Sequence, residues 1–467
     1  MENIKHLRSK QGDDDTKQKQ REGHMLCLNA GSSSLKLKLF DLAPSTSSQL
    51  DLEPLVSGSI KLSDSSAKIS LTYHNGQQHT DTKDWTDIAS PQVLHYLLTT
   101  LSSLLGPNTT LNIRTVVHRV VHGAHLSQCV AITSSDQHHL KTLQFLAEFA
   151  PLHNAVCVQL IRSCLDSQHL PEDHENARVC LGGMELRKWG FHGLSYSSIL
   201  HTLAGELGRE RESLNVIICH LGSGSSMCAV MGGKSFDTTM GLTPLEGLPG
   251  ATRSGSVDPV LPLHISAAQL GKSGESKDPF STVELAPGIT ASHAELVLNK
   301  HSGFKAVAGT SDFEQVAQRR TEFLRGRTIS KSEEKERDAD RGAALAFDIF
   351  VDRIVGYVGS YAIKMSSRGG VHALVFSGGI GEASKELRAE LASQLNLSGL
   401  SPACESVLQG EREGKKCWQL TRQELGLAKT TKTMATAQSV PWFVCKTDEE
   451  GEMARQVSLA SQQEQAQ

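Results

Sequence analysis

"LCLNAGSSSLKLKLF", residues 26–40, sets two apolar runs around a cluster of small polar residues. Residues 26–28 and 35–40 read as the arms of a β-hairpin. Asn29, Ala30, Gly31, Ser32, Ser33 and Ser34 lie between them, with Lys36 just beyond. A serine-rich hairpin loop is one reading. The other is a cradle for phosphate, since backbone amides, hydroxyls and one amine converge at the turn.

The same unit recurs. "NVIICHLGSGSSMCAVMGGKSFDTT", residues 215–239, reads as strand, glycine turn, strand, glycine turn, and suggests an internal duplication. "ALVFSGGIGEASKELRAEL", residues 373–391, reads as a buried strand, a glycine turn and a helix. Glycine turns after apolar strands therefore stand at Gly31, at 222–224 and at 378–381. Such turns aim N–H groups at anions. With no GxxxxGK[ST] in the chain, three of them point to a nucleotide kinase outside the P-loop class.

The length of 467 residues favours two domains. A net charge of −4 leaves no basic field for nucleic acid or an anionic membrane, so a small anion must be held by a few placed cations. The ten cysteines show no CxxC spacing. Cys27, Cys219 and Cys445 sit in apolar runs and read as buried thiols, which fits a reducing, cytoplasmic setting and neither a disulfide framework nor a zinc site. No apolar stretch is long enough to cross a bilayer. Residues 1–23 read as a polar tail, and residues 402–436 as a polar surface insertion.

Two arginines stand out. In "TVVHRVVHG", residues 115–123, period two puts Val117, Arg119 and Val121 on one face of a strand. An arginine between valines suggests a cation held in an apolar pocket. Arg253 closes the glycine- and proline-rich loop 240–259, where it can meet an oxyanion or simply be solvated. His192, in "KWGFHGLSY", is catalytic or structural. The acids of "TDEE", residues 447–450, either complement a helix macrodipole or hold Mg²⁺.

Together these segments resemble the acetate kinase family, within the acetate and sugar kinase, heat-shock ATPase and actin superfamily. The matching pieces are "NAGSSSLK", "HRVVHG", "APLHN", "GFHG", "HLGSGSS", "DTTMGLTPLEGLPGATRSGSVDP", "FSGGIGEAS" and "TDEE". The resemblance implies two α/β domains of duplicated ribonuclease H-like type with an interdomain cleft. The first domain is expected over 24–165 plus 448–460, and the second, for nucleotide binding and dimerisation, over 166–447. It implies reversible Mg²⁺- (or Mn²⁺-) dependent phosphoryl transfer between ATP and acetate, giving ADP and acetyl phosphate, in a homodimer. Kinases of propionate or butyrate, or a catalytically silent nucleotide-binding relative, are the alternatives.

Residue by residue, the resemblance makes Arg119, His192 and Arg253 catalytic. Arg119, Val121, Leu152, Phe191 and Pro244 would bind the acyl substrate. The nucleotide would meet Ser32, Ser34, Lys36, His220, Leu221, Gly222, Ser223, Gly224, Asp312, Phe313, Glu314, Gly379, Ile380, Gly381, Glu382 and Ala383. Asn29 and Glu449 would hold the metal.

One departure is large. Between "APLHN" and "GFHG" the family has a strand that ends Phe-Asp-Thr, and its aspartate is assigned an essential role near the acyl group. Here that interval is short. "ARVC" begins the strand, but Leu181, Gly182 and Gly183 follow, and Asp166 and Asp173 lie before it. The expectation is a chain that transfers phosphoryl groups very slowly. Glu314 also stands where the family often has arginine.

Overall fold

The structure is a computed structural model. It describes residues 23–31, 33–42, 52–63, 66–106, 109–121, 129–133, 138–147, 151–167, 175–180, 188–265, 281–286, 289–325, 334–395, 400–403, 415–421, 423–425 and 439–466. The described residues fall into two compact units. One is drawn from Met1–Glu185, Leu285–Ile289 and Glu449–Gln467, the other from Leu186–Glu284 and Thr290–Asp448.

The first unit is built on β1 (His24–Ala30), β2 (Ser34–Asp41), β3 (Val56–Leu62), β4 (Ala67–Tyr73), β5 (Gln78–Lys83), β6 (Ile113–His118), β7 (Cys129–Val130) and β8 (Glu175–Cys180). They form one sheet in the order β5-β4-β3-β2-β1-β6-β8-β7. The opening stretch is indeed the hairpin β1–β2, with Asn29 opposite Lys36. Every residue of β1 is buried, because β1 lies inside the sheet, antiparallel to β2 and parallel to β6.

Helix α1 (Pro91–Leu105) carries leucines and valines three and four apart, so Val93, Leu94, Leu97, Leu98, Leu101 and Leu105 share one buried face. Proline opens it, and Gly106 at φ 82° ends it. That face joins Leu26, Leu28, Leu35 and Leu37 in one core. Helices α2 (His138–Leu146) and α3 (Pro151–Leu165) complete the described layer.

One strand reading is corrected. β6 stops at His118, so Arg119 lies just past the strand and is not one of its face residues. Its backbone N–H still donates to Leu28 O at 3.1 Å, which fixes where the side chain starts. Val117 and His118 are both buried, because both faces of β6 are covered.

The second unit has a sheet of β9 (Val216–His220), β10 (Ser226–Met231), β11 (Lys234–Thr238), β12 (Ala373–Ser377), β13 (Pro402–Ala403), β14 (Cys417–Gln419) and β15 (Val440–Cys445). The order is β11-β10-β9-β12-β15-β13, with β14 on β15. The duplication is visible in the pairing. In each unit a first strand is antiparallel to the second and parallel to a later one: β1 with β2 and β6, β9 with β10 and β12.

Its helices are α4 (Gly193–Leu207), α5 (His293–Lys300), α6 (Gly303–Ala308), α7 (Phe313–Leu324), α8 (Glu334–Ser366), α9 (Gly378–Ala383) and α10 (Lys385–Gln394). The long helix α8 buries Phe347, Phe350, Ile354, Tyr361 and Met365 along one side, against Phe304 and Phe313. The chain returns to the first unit as α11 (Glu449–Ala466).

Two further readings change. The glycine run 378–383 is itself the short helix α9. Cys445 is buried but is not a free thiol: it faces Cys417 across β14–β15 and forms a disulfide with it. The spacing of 28 residues hid that pairing. Cys27 and Cys219 are buried and form no disulfide. Among the described residues no helix is long and apolar enough to cross a membrane.

His118 is fully buried and neither ring nitrogen has a hydrogen-bond partner. Burial alone lowers its pKa from 6.5 to about 3, so the folded chain keeps the imidazole neutral. Unfolding lets it take up a proton below its ordinary pKa. Its contribution to stability is therefore complete above about pH 6.5 and is lost as the pH falls towards 3, at up to about 1.4 kcal/mol per pH unit. Denaturant titrations from pH 7 to 4 should show wild type losing more stability than His118→Leu. Equal losses would mean that the imidazole is protonated in the folded state.

Candidate active site

In the first unit, three elements bring together Asn29, Arg119 and Glu449. Asn29 stands one residue before the end of β1 and is 6% exposed. Its Nδ2 donates to Glu449 Oε2 at 2.8 Å and to Glu450 Oε1 at 2.7 Å. Its Oδ1 accepts from Arg119 Nη1 at 3.4 Å, and Arg119 Nε lies 3.7 Å from Glu449 Oε2. The amide thus sits between a guanidinium and two carboxylates and satisfies both, which fixes its orientation.

Glu449 and Glu450 open α11, so its N-terminal dipole end also favours them. The macrodipole reading of "TDEE" holds. Sequence reasoning missed Glu450, which shares the Asn29 amide and is buried. The adjacent acids were visible, but not that both face β1.

The two carboxylates are the donor chemistry that a small hard cation such as Mg²⁺ or Mn²⁺ takes, while Asn29 offers them its N–H₂ and turns its oxygen to Arg119. Lys36 is exposed and Ser34 half-buried on β2, and Val121 is half-buried just beyond Arg119. Ser32 lies outside the described residues, as do the Leu152 side chain and residues 181–183, where the Phe-Asp-Thr is absent. So do Asp173, residues 1–22 and most of 402–436.

In the second unit the glycine turns are stitched together. Leu221 N–H donates to Ser377 O at 2.8 Å, and Leu221 O accepts from the Ile380 and Gly381 N–H groups at 2.9 and 3.1 Å. Gly378, at φ 77°, approaches so closely that a Cβ would lie 2.6 Å from Leu221 O. His220–Gly224 and Gly379–Ala383 are thereby one surface. Gly378 N–H donates to Glu382 Oε1 at 3.0 Å.

Arg388 was not foreseen. Buried on α10, it donates through Nη1 to Gly381 O at 2.6 Å and to Glu382 O at 3.0 Å, tying down the end of α9.

Arg253 comes to the same place. Ala251 N–H donates to Ser223 O at 3.0 Å, which joins loop 240–259 to the turn. A Cβ on Gly224 would stand 3.1 Å from Arg253 Nη1, and that nitrogen also donates to Pro244 O at 3.4 Å. The guanidinium thus lies on the glycine turn, beside the buried Pro244. Asp312 caps α7 and Glu314 is exposed. Phe313 is core, packed among Phe304, Phe347 and Phe350, so its side chain lines no ligand surface.

His192 precedes α4 with φ 65°, the one non-glycine residue with positive φ among those described. Its Nδ1 is 2.7 Å from Ser226 Oγ, which also bonds the Tyr196 hydroxyl. Its ring meets His220 edge-on at 4.7 Å. Burial pushes the Tyr196 pKa well above its ordinary value, so that hydroxyl keeps its proton. If that hydroxyl donates to Ser226, Ser226 is left to donate to Nδ1 and the imidazole proton falls on Nε2. Neither Ser226 nor Tyr196 was read from the sequence, because β10 and α4 meet only in the fold.

The acetokinase family model matches residues 24–180 and 180–425. The chain belongs to the acetokinase family. The two parts of the acetokinase match meet at Cys180, immediately before the interval that lacks Phe-Asp-Thr. The probable acetate kinase of Chaetomium globosum is 36% identical, over 92% of this chain and 96% of that one. The acetate kinase of Bacillus subtilis is 32% identical, over 82% and 90%.

Among solved structures, a propionate kinase from Francisella tularensis matches with a TM-score of 0.64 at 26% identity, over 93% of this chain and 98% of that one. The acetate kinase of Entamoeba histolytica matches with 0.63 at 24%, over 95% and 99%, a likeness of fold. The acetokinase fold, two sheet-bearing units of duplicated ribonuclease H-like type, is the one expected from the sequence.

Removing the Ser226 hydroxyl removes what fixes the His192 tautomer. In nitrogen-15 NMR of the imidazole, wild type should show the Nε2–H form, and Ser226→Ala a mixture. An Nδ1–H form in wild type would reverse the direction of the Tyr196–Ser226–His192 chain.

Proposed function

We propose that this chain is an acetate kinase, moving a phosphoryl group reversibly between ATP and acetate. The observation that carries the reading is the acetokinase match across both units, joined to the placement of Arg253 on the stitched glycine turns. Phosphoryl transfer needs alignment and neutralisation of the equatorial oxygens more than covalent chemistry.

The backbone of Ser223 and Gly224, and of Gly379 at the start of α9, lies beside the bonds at Leu221 and is suited to the nucleotide phosphates. Arg253, and Arg119 on the other unit, are suited to the phosphoryl group and the carboxylate. His192 Nε2–H is suited to donate to a phosphoryl oxygen. Glu449, oriented by Asn29 and with Glu450 beside it, would hold Mg²⁺ or Mn²⁺, which would supply charge neutralisation at the phosphates. Val121, Leu152, Phe191 and Pro244 would wall the acyl group. A wall of that kind discriminates one methylene by only about 1–3 kcal/mol, so propionate is a poorer substrate rather than an excluded one.

The exposed Val260, Leu261 and Leu263 of the second unit support a homodimer formed there. The buried thiols Cys27, Cys157, Cys164, Cys219 and Cys228, which form no disulfide, support a cytoplasmic setting, and the disulfide-bonded Cys417, Cys445 and Cys129 stand against it.

The absent Phe-Asp-Thr favours a second reading, a chain that binds nucleotide and turns over slowly. Acetyl phosphate formed from ATP and acetate, trapped as the hydroxamate, tests both. We expect turnover on the order of 10²–10³-fold below that of the Bacillus subtilis relative, the cost of losing one transition-state group, with ADP binding retained in calorimetry. Arg253→Ala should lower turnover about a further hundredfold. Turnover equal to the relative's would mean that another group replaces the aspartate. Failure to bind ADP would overturn the kinase reading itself.

A further inference from the structure

Asp237 opens the stretch "DTTMGLTPLEG" near the end of β11. Its side chain is only 14% exposed, and both carboxylate oxygens accept hydrogen bonds. Lys188 Nζ donates to Oδ1 at 3.1 Å, as does the Thr238 N–H at 2.8 Å, and Lys364 Nζ donates to Oδ2 at 2.5 Å. Burial alone would raise the pKa of this carboxyl. The bonds from Lys364, Lys188 and Thr238 outweigh it and hold the group below its ordinary value. We propose that Asp237 is a positioning residue for phosphoryl transfer, acting through Lys188 on the segment that presents His192. The proposal rests on the reading of His192 as a donor to the phosphoryl group.

Three successive residues before His192 are fastened to the chain about Asp237. Lys188 Nζ donates to Thr238 O at 3.1 Å as well as to the carboxylate. The Trp189 N–H donates to Gly241 O at 3.0 Å. Gly190, at φ 67°, lies so close to Thr238 that a Cβ there would stand 2.5 Å from Thr238 Cγ2. Phe191 and His192 follow directly.

His192 needs such an anchor. It holds φ 65°, which a residue with a Cβ keeps only where its surroundings over-determine it. On its far side the Tyr196 N–H donates to His192 O at 2.9 Å, and Ser226 Oγ meets Nδ1. On its near side stands the 188–190 clasp. Lys188 is half-exposed, so its long side chain stays on the clasp only while a fixed anion holds it there.

The clasp also relates His192 to the other cation of this unit. β11 runs on through Thr239, whose N–H donates to Met227 O and whose Oγ1 accepts from the Met227 N–H, both at 3.0 Å. Loop 240–259, with Arg253, begins at the next residue. The carboxylate therefore ties the segment that carries His192 to the start of the segment that carries Arg253.

Lys364 provides the internal control. It reaches the same carboxylate from α8, and its other described contact is the Tyr361 ring at 5.9 Å. Removing it leaves Asp237 its bonds to Lys188 and Thr238.

The test compares Asp237→Asn, Lys188→Met, Lys188→Arg and Lys364→Met in the full-length chain. Asp237→Asn and Lys188→Met should each lower kcat about tenfold. KM for acetate and the calorimetric Kd for ADP should stay within about twofold of wild type. In both variants the His192 ring resonances, assigned by their loss in His192→Gln, should shift. Lys188→Arg, which keeps the charge and the donor, should restore kcat and the resonances. Lys364→Met should lower the Tm and leave kcat and the His192 resonances at their wild-type values.

The proposal is overturned if Lys188→Met leaves the His192 resonances unmoved, or if Lys364→Met shifts them equally, since the carboxylate would then serve general stability. It is also overturned if the loss falls on KM or on ADP affinity alone, which would make these groups ligand contacts. Lys188 is half-exposed, so its variants keep the test open should Asp237→Asn fail to fold. The resonance arm needs no turnover, so its outcome is separate from that of the kinase reading.

Discussion

The main chain of Leu221 is the joint on which the second unit's chemistry depends. It donates to Ser377 and accepts from Ile380 and Gly381, and so fastens the end of β9 to the start of α9. The fastening requires that residue 378 carry no side chain, since a Cβ would overlap the Leu221 carbonyl. Two segments about 160 residues apart in sequence are thus held at backbone contact, by N–H groups spent on each other's carbonyls. Arg253 lies beside them for a related reason, because Gly224 leaves it room.

The first unit solves a different problem with one amide. A guanidinium and two carboxylates could collapse into ion pairs that fill the site. Asn29 stands between them, offering its oxygen to Arg119 and its nitrogen to Glu449 and Glu450. An aspartate there would have no N–H to give the glutamates, and a leucine would satisfy neither side. Both units therefore place charged side chains against elements that are rigid for ordinary reasons of strand pairing and packing.

Much of this was legible in the chain. The apolar runs about residues 26–40, the repeat at 215–239 and the helical spacing of 91–105 depend on local periodicity, and the fold follows them. What local pattern cannot carry is contact at long range. Glu450 reaches Asn29 across 421 residues, and Ser226 reaches His192 across 34. Arg388 looks like an ordinary helix charge until α10 packs behind α9. Cys417 and Cys445 meet only through the register of β14 on β15. Arg119 was singled out by strand alternation, yet β6 ends one residue earlier. The cation is positioned by a single backbone bond to Leu28 and by Asn29.

The left-handed backbone of His192 has an evolutionary implication. A residue with a Cβ held there costs roughly 1–2 kcal/mol compared with glycine. Drift at this codon towards glycine would relieve the main chain while deleting the imidazole. A lineage released from the need for turnover would gain robustness by losing this side chain.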